Sequence, residues 1–176
     1  MRFCSIASGS SGNCIYVGSD NTHVLVDIGI SGKKMETGLN SLELTGRDLD
    51  GILITHEHSD HIKGLGVISR KYGIPIYATA GTVDAMVRTN ALGKIPEGIF
   101  HEIQENEPFM INDLKVNPFT IPHDAAQPVG YRLEHEGHSV GIATDLGKYN
   151  DYIIENLQGL DALLLEANHD IRMLQV

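Results

Sequence analysis

A stretch of seven residues, Thr-His-Glu-His-Ser-Asp-His at positions 55–61, constrains this chain more than any other part of the sequence. It follows the apolar run 51–54, which is typical of a short buried strand. After it, Ile62, Leu65 and Ile68 fall at helical spacing and predict a helix. The stretch therefore lies between the end of a strand and the start of a helix, where open α/β sheets form their ligand-binding crevices.

The residue types in this stretch point to a metal site. His56 and His58 lie two apart and can reach one side of an extended turn, whereas Asp60 and His61 point toward a second position. Three neutral imidazoles and a carboxylate suit a divalent cation such as zinc, manganese or iron. The alternative is a polar helix cap, with Ser59 or Asp60 at the N-cap and solvated histidines. A cap would not explain three histidines within six residues.

The composition is that of one globular domain without a disulfide framework. With 176 residues the chain is long enough for its own core, and we expect residues 1–176 to form a single domain. No apolar run approaches the length of a membrane span, and the N-terminus does not resemble a signal peptide. Cys4 and Cys14 are expected as small buried residues of adjacent strands. These features predict a cytoplasmic protein without a membrane partner.

The charge balance leaves the substrate class open. The chain has 13 basic and 23 acidic residues, a formal net charge of −10. Proteins that wrap phosphate backbones are usually basic on at least one face, and the basic residues here are scattered. Metal ions in a site would offset some of the acidic charge locally. Bulk charge therefore neither supports nor excludes a nucleic-acid substrate.

Strands and helices alternate in the first half of the chain, and short strands dominate the second half, which predicts an α/β layered fold. The predicted strands are 2–7, 13–17, 23–29, 51–55, 74–78, 99–103, 115–121, 129–134, 139–143 and 161–166. The predicted helices are 31–44, one from the central stretch to Gly73, 82–92 ending at Gly93, and 149–157.

Two later residues complete the predicted site. His123 and Asp145 each follow a strand end. If both strands lie beside the strand at 51–55, one sheet edge presents six ligands together. These are His56, His58, Asp60, His61, His123 and Asp145. Taken alone, a histidine after a strand, such as His123, is more often a satisfied polar residue, and Asp145 could serve only as a helix cap.

The Gly/Ser-rich turn 8–13 has two interpretations. It is either a simple hairpin connection or a loop whose backbone N–H groups and hydroxyls line a substrate cleft. The candidate substrate-binding residues are Ser10, Ser11, Gly12 and Asn13. Asp27, near a strand end, either orients a metal-binding histidine or caps the segment that begins at Ser31.

Three motifs in order resemble the metallo-β-lactamase superfamily. They are the His-x-His-x-Asp-His pattern at 56–61, the opening Ala-Ser-Gly-Ser-Ser-Gly-Asn-Cys at 7–14 and the late Leu-Glu-Ala-Asn-His-Asp at 165–170. The outer two resemble the YycJ/WalJ group of bacterial metallohydrolases. The resemblance implies a four-layer αββα sandwich with metals at one edge of its two sheets. It also implies an exonuclease that degrades DNA from 5′ ends.

The resemblance further implies a site with two divalent metal ions, zinc or manganese, with iron as an alternative. The first ion would be held by His56, His58 and His123. The second would be held by Asp60, His61 and a bridging Asp145. A hydroxide shared by the two ions would attack the phosphodiester, and Asp60 could orient it. Glu166 and His169 resemble a motif that tRNA-processing relatives use beside the site, for proton transfer to the leaving oxygen.

Family members continue into a histidine-bearing segment that this sequence lacks, so we expect the domain to be incomplete at its C-terminus. An uncovered sheet edge there would favour a homo-oligomer. Two other functions stay open. One is a thioester or lactam hydrolase of the same fold, and the other is a non-catalytic, metal-stabilised module that binds a partner.

Overall fold

The computed structural model describes residues 1–166, which contain two β-sheets and five helices. The helices are α1 Gly32–Ser41, α2 Ser59–Ile62, α3 Leu65–Tyr72, α4 Ala80–Arg88 and α5 Asp151–Leu157. No helix within these residues has the length and apolar composition that crossing a membrane requires.

The first sheet has six strands that lie side by side in chain order. They are β1 Arg2–Ala7, β2 Cys14–Gly18, β3 His23–Val26, β4 Gly51–Leu53, β5 Ile76–Thr79 and β6 Phe100–Ile103. Strands β1 to β3 are antiparallel neighbours, whereas β3 to β6 run parallel and are connected through helices. The segments that follow β3, β4 and β5 therefore emerge at one edge of the sheet.

The second sheet has five strands in the order β11, β10, β9, β8, β7. They are β7 Phe109–Ile111, β8 Leu114–Thr120, β9 Val129–His135, β10 His138–Ala143 and β11 Ala162–Leu165. Strands β7 to β10 pair antiparallel, and β11 pairs parallel with β10. Because β8 and β10 are both antiparallel to β9, they end at the same edge.

The layers are helix, sheet, sheet, helix, which confirms the predicted αββα sandwich. Apolar residues from the inner faces of both sheets form the central core, with members such as Val26, Val116 and Tyr131. Helices α1, α3 and α4 pack on the outer face of the first sheet, and α5 packs on the outer face of the second. Cys4 is half-buried in β1 and Cys14 is buried in β2, as expected of small core residues.

The predicted helix after the central stretch is broken into α2 and α3. The break falls at Gly64, whose N–H donates to the Ile28 carbonyl oxygen instead of continuing the helix. A Cβ at Gly64 would lie 2.1 Å from the Ile30 carbonyl oxygen, so the close approach requires glycine.

Two other element predictions were wrong. The helix expected to run to Gly93 ends at Arg88, because Asn90 adopts a left-handed φ of 53° and ends it as glycine often does. Strand β7, only three residues long, was missed because so short a segment shows no alternation of apolar and polar residues.

A buried hydroxyl links the two sheets beside the central stretch. Tyr131 on β9 is fully buried and donates its hydroxyl to the Ile54 carbonyl oxygen at 2.7 Å. Ile54 in turn donates its N–H to the Tyr77 carbonyl oxygen at 2.9 Å. The end of β4 is thus bonded both within its own sheet and to the opposite sheet.

We predict that Tyr131→Phe lowers the free energy of unfolding by about 1–3 kcal/mol, because it removes the donor of a buried carbonyl. Urea denaturation followed by circular dichroism measures this. Tyr149→Phe is the matched control, since Tyr149 is 77% exposed, and should change stability by less than about 0.5 kcal/mol. Equal urea midpoints for Tyr131→Phe and the unsubstituted chain would contradict the prediction.

Candidate metal centre

The 55–61 stretch forms the turn after β4 and the first three residues of α2. His56 follows β4 and is fully buried, and His61 lies in α2 and is also fully buried. His58 is the N-cap residue of α2, with extended backbone and no side-chain capping bond. The alternative in which Ser59 or Asp60 caps a helix beside solvated histidines is therefore wrong.

The second sheet brings two more of the predicted residues to this turn. His123 follows β8 and Asp145 follows β10, at the edge where both strands end. The Nε2 atom of His123 lies 3.1 Å from Nδ1 of His58. The Oδ2 atom of Asp145 lies 2.8 Å from Nε2 of His61. The expectation that the strands before His123 and Asp145 lie beside β4 in one sheet was wrong, because β8 and β10 belong to the second sheet. The site is therefore built from both sheets.

Five of the six predicted ligands form two overlapping groups that could hold metal ions. One group is His56, His58 and His123, and the other is His56, His61 and Asp145. Within each group, one ligand atom from every residue lies within 4.8 Å of the others. Because both groups contain His56, they lie side by side.

Asp60, the sixth predicted ligand, lies beside the second group but belongs to neither. Its Oδ2 atom is 3.6 Å from Nε2 of His61, and its side chain is 31% exposed. Its backbone carbonyl accepts a hydrogen bond from Asn13 N–H at 2.8 Å. The main chain of Asp60 is thus fixed while its carboxylate reaches the open side of the site.

Asp27 organises the hydrogen bonds behind the histidines. This fully buried carboxylate accepts from Thr55 N–H at 2.9 Å and from the Thr55 hydroxyl at 2.8 Å, and its Oδ2 lies 2.8 Å from His61 Nδ1. The Thr55 oxygen, having donated its proton to Asp27, can accept from His56 Nδ1 at 3.0 Å. Both Nδ1 atoms therefore carry protons, and Nε2 of each ring faces the site. Of the two roles predicted for Asp27, orientation of a histidine is the one observed, since Ser31 caps α1 itself.

His61 lies between two carboxylates. Burial lowers its pKa, but the charge of Asp27 and the hydrogen bonds with Asp145 and Asp27 outweigh this effect and raise the pKa to about 10. The hydrogen bond from His61 lowers the pKa of Asp145 to about 2, against the opposing effect of burial. Asp27 and Asp145 thus lie on opposite sides of the His61 ring, at Nδ1 and Nε2. A divalent cation at the Nε2 side could supply the positive charge with which Asp145 pairs.

Two other histidines of the site have lowered pKa values. Burial, together with the neighbouring rings of His61, His123 and His58, lowers the pKa of His56 to about 2. Burial also lowers the pKa of His123. The Nε2 atom of His56 is buried and has no hydrogen-bond partner among the described residues. An unpaired buried nitrogen beside imidazoles and a carboxylate fits a divalent metal ion, and the fold and this His/Asp cluster together indicate divalent metal binding.

The Gly/Ser turn divides into an exposed and a buried part. Ser10 and Ser11 are exposed, whereas Gly12 and Asn13 are buried. The Asn13 Oδ1 atom accepts from Gly9 N–H at 3.0 Å, so its Nδ2 faces His61 Nε2 at 3.2 Å. Asn13 therefore contacts the site from its buried side, and contact of the exposed Ser10 and Ser11 with a substrate stays a prediction.

A close main-chain contact holds this turn against α2. Gly29 donates its N–H to the Asn13 carbonyl oxygen at 2.7 Å. A Cβ at Gly29 would lie 1.5 Å from the Asp60 carbonyl oxygen, so only glycine fits.

Glu166 directly follows the last residue of β11 and lies next to the site. Its N–H donates to the Ala143 carbonyl oxygen at 2.9 Å, and its own carbonyl oxygen accepts from Leu146 N–H at 3.0 Å. Burial raises the pKa of its carboxyl, and the negative charge of Asp145 adds to the effect. His169, the other predicted proton-transfer residue, lies outside the described residues.

Thr55 is the first residue of the central stretch, but its role in the site was not predicted from the sequence. Its hydroxyl joins Asp27 to His56, yet a threonine at the end of a strand is too common to indicate that role. The position directly before the first histidine was the only available signal.

Known proteins resemble this chain in sequence. A family model described as "Beta-lactamase superfamily domain" matches residues 22–174. The exodeoxyribonuclease YycJ of Bacillus anthracis is 40% identical over 176 residues, which is 100% of this chain and 66% of that protein. The exodeoxyribonuclease WalJ of Streptococcus pneumoniae serotype 2 is 39% identical over 175 residues, 99% of this chain and 65% of that protein. The chain spans just under two thirds of the length of these relatives.

Solved structures share the fold at low sequence identity. The metallo-β-lactamase fold protein YhfI of Bacillus subtilis superposes with a TM-score of 0.73 at 19% identity, covering 93% of this chain and 66% of that one. Zn²⁺-bound PqqB of Methylobacterium extorquens gives a TM-score of 0.72 at 19% identity, with 93% and 63% covered.

We predict that Asp27→Asn weakens zinc binding about 10- to 100-fold, because it removes the charge that orients His61. Competition with a chromophoric chelator measures the affinity. Asp20→Asn, at an exposed position, is the matched control and should bind zinc as the unsubstituted chain does. Unchanged zinc affinity in Asp27→Asn would mean that the carboxylate does not orient the ligands.

Proposed function

The chain belongs to the β-lactamase superfamily, and on that premise we propose that it is a metal-dependent nuclease that hydrolyses DNA from its 5′ ends. The observation that carries the proposal is the convergence of five histidine and aspartate side chains from two sheets at one edge. Two relatives named exodeoxyribonuclease, 40% and 39% identical to this chain, support DNA as the substrate.

We assign two divalent metal ions, zinc or manganese, to the two groups of ligands. His56, His58 and His123 would hold the first ion. Asp60, His61 and Asp145 would hold the second. When bound, such ions supply Lewis-acid chemistry, which lowers the pKa of water and neutralises charge on a phosphodiester.

The chain's own residues prepare this chemistry. Asp27 and Thr55 hold protons on the Nδ1 atoms of His61 and His56, which leaves Nε2 of His56 free to donate an electron pair. Nε2 of His61 could do the same once a bound cation displaced the proton that it shares with Asp145. Asp60, with its carboxylate on the open side, is suited to orient a water molecule. Glu166, whose pKa is raised by burial, is suited to hold a proton on its carboxyl for the leaving oxygen.

An exposed tip beside the site is suited to contact DNA. Residues 147–150 are exposed and lie between the buried anchor Leu146 and helix α5. A Cβ at Gly147 would lie 3.5 Å from the Pro122 carbonyl oxygen, next to the ligand His123. The tip carries Lys148, a cation for phosphate, and Tyr149, an aromatic ring on which a base can stack.

DNA labelled separately at its 5′ and 3′ ends tests the proposed activity. With manganese or zinc, we expect early release of 5′-labelled mononucleotides. Asp60→Ala should lower the rate about 100-fold or more while the chain stays folded. Asp20→Ala, at an exposed position, should cleave normally. Full activity in Asp60→Ala would refute the two-metal mechanism, and metal-loaded protein that cleaves no DNA would shift the assignment to a small ester or thioester.

Substitutions in the tip test the mode of DNA binding. Tyr149→Ala should raise KM for single-stranded DNA about 10-fold with little change in kcat, because base stacking contributes roughly 1–3 kcal/mol. Tyr149→Phe keeps the ring and should behave normally. Lys148→Ala should lower the slope of log KM against log salt concentration by about one, because one phosphate contact is lost. Identical KM values for Tyr149→Ala and Tyr149→Phe would exclude stacking at this position.

A further inference from the structure

The loop that carries His123 is held by side chains that belong to neither ligand group. This loop, residues 121–128 between β8 and β9, is called here the His123 loop. Two of its residues are prolines, which have no N–H to donate. Internal bonds run from Ala125 N–H to the His123 carbonyl oxygen at 3.0 Å and from Ile121 N–H to the Pro128 carbonyl oxygen at 3.3 Å. Further hydrogen bonds join the loop to residues in and around the first sheet.

The side chain of Gln127 bridges two of those segments. Its Oε1 atom accepts from Gly81 N–H, in α4, at 2.8 Å. Its Nε2 atom donates to Glu105 Oε1, just after β6, at 2.6 Å. The approach is close, since a Cβ at Gly81 would lie 2.8 Å from the Gln127 Cβ. One amide therefore serves as acceptor and donor at the same time, which a carboxylate or a hydrocarbon chain cannot do.

The main chain of Gln127 is held at the same corner. Its carbonyl oxygen accepts from the Thr79 hydroxyl at 2.7 Å and from the Thr82 hydroxyl at 3.3 Å. Both threonines are fully buried. Side chain and backbone together fix Gln127 to the junction of β5 and α4.

A second attachment starts inside the 55–61 stretch. Glu57, between the ligands His56 and His58, accepts from Ala126 N–H through Oε1 at 2.8 Å. Directly after the loop, Val129 donates its N–H to the Thr55 carbonyl oxygen at 3.0 Å. Residues on both sides of His56 thus hold the segment that carries His123.

We propose that Gln127 and Glu57 are positioning residues that hold His123 against His58 and so set how tightly the first ligand group binds a divalent cation. His123 comes from one sheet, while His56 and His58 come from the other. Metal–nitrogen bonds are about 2.0–2.1 Å long, so a shift of the loop by about 1 Å takes a ligand out of reach. The inference rests on the metal-binding part of the proposed function and is independent of the substrate.

The pairing of Gln127 with Glu105 offers a charge-exchange test. In Gln127→Glu, two carboxylates would face each other and the donor to Glu105 would be lost. In the double variant Gln127→Glu/Glu105→Gln, the amide and the carboxylate exchange places, and residue 127 can still accept from Gly81 N–H. The double variant should therefore restore what the single variant loses.

Zinc affinity, measured on the whole chain by competition with a chromophoric chelator, is the first measurement. We expect Gln127→Glu to bind the first ion about 10-fold more weakly or worse, and the double variant to return within about threefold of the unsubstituted chain. Gln158→Glu, which adds the same charge at an exposed position, should leave affinity unchanged. Equal weakening in the single and double variants would overturn the proposal, as would unchanged affinity in Gln127→Glu.

Amide hydrogen exchange on the metal-free chain is the second measurement. The N–H groups of Gly81 and Ala126 should exchange faster in Gln127→Glu and regain protection in the double variant. A purely structural role would lower the urea midpoint without changing zinc affinity in folded protein, and that result would also overturn the proposal. Should Gln127→Glu not fold, Glu57→Ala and Glu57→Gln make the same comparison at the second attachment, since only glutamine keeps the acceptor for Ala126.

Failure of this inference differs from failure of the proposed function. Suppose that zinc affinity falls in Gln127→Glu and recovers in the double variant, but the chain cleaves no DNA. That result would support Gln127 as a positioning residue and reject the nuclease. If the chain cleaved DNA but zinc affinity were the same in Gln127→Glu, the double variant and the unsubstituted chain, the nuclease would be supported and the positioning role rejected. If the unsubstituted chain bound no ion, both would fail, and amide exchange would show only that the loop is attached.

Discussion

The buried carboxylate of Asp27 is the constraint on which the rest of the site depends. It sits at the end of β3 with a left-handed φ of 61°, where the chain leaves the sheet. A buried charge is stable only when it is paired and hydrogen-bonded, and Asp27 meets this condition through Thr55 and His61. The same bonds fix which nitrogen of each histidine faces the site. The hydrogen bonds that stabilise the buried Asp27 carboxylate therefore also orient two ligands, His61 directly and His56 through Thr55.

The site also depends on how the two sheets meet. His56, His58 and His61 come from the first sheet, whereas His123 and Asp145 come from the second. No single element holds a complete ligand group, so contacts between the sheets determine the geometry of the ligands. The hydroxyl of Tyr131 on the Ile54 carbonyl and the attachments of the His123 loop lie near the site edge. The same contacts between the sheets thus contribute both to the stability of the sandwich and to the geometry of the site.

Part of the acidic character of the chain is concentrated at this edge. Asp27, Asp60, Asp145 and Glu166 lie on or beside the site, and the charge of each affects its neighbours. Divalent cations would balance this negative charge where the proposed phosphodiester substrate would approach. A net charge of −10 is therefore compatible with a nucleic-acid substrate that is contacted mainly through the site and its exposed tip.

Much of this protein was determined by sequence alone. The apolar run before His56, the histidine spacing and the strand ends before His123 and Asp145 are local patterns, and they predicted that these residues meet. The sandwich was predicted by the resemblance of three motifs to a known family, and the local patterns alone placed the ligands on one sheet instead of two. Roles that depend on distant partners could not be predicted in this way. Thr55 and Gln127 look like ordinary residues of a strand end and a loop, and only packing brings them to Asp27 and Glu105. Tertiary structure decided these roles because a hydrogen bond between segments depends on their distance in space, which periodicity along the chain does not encode.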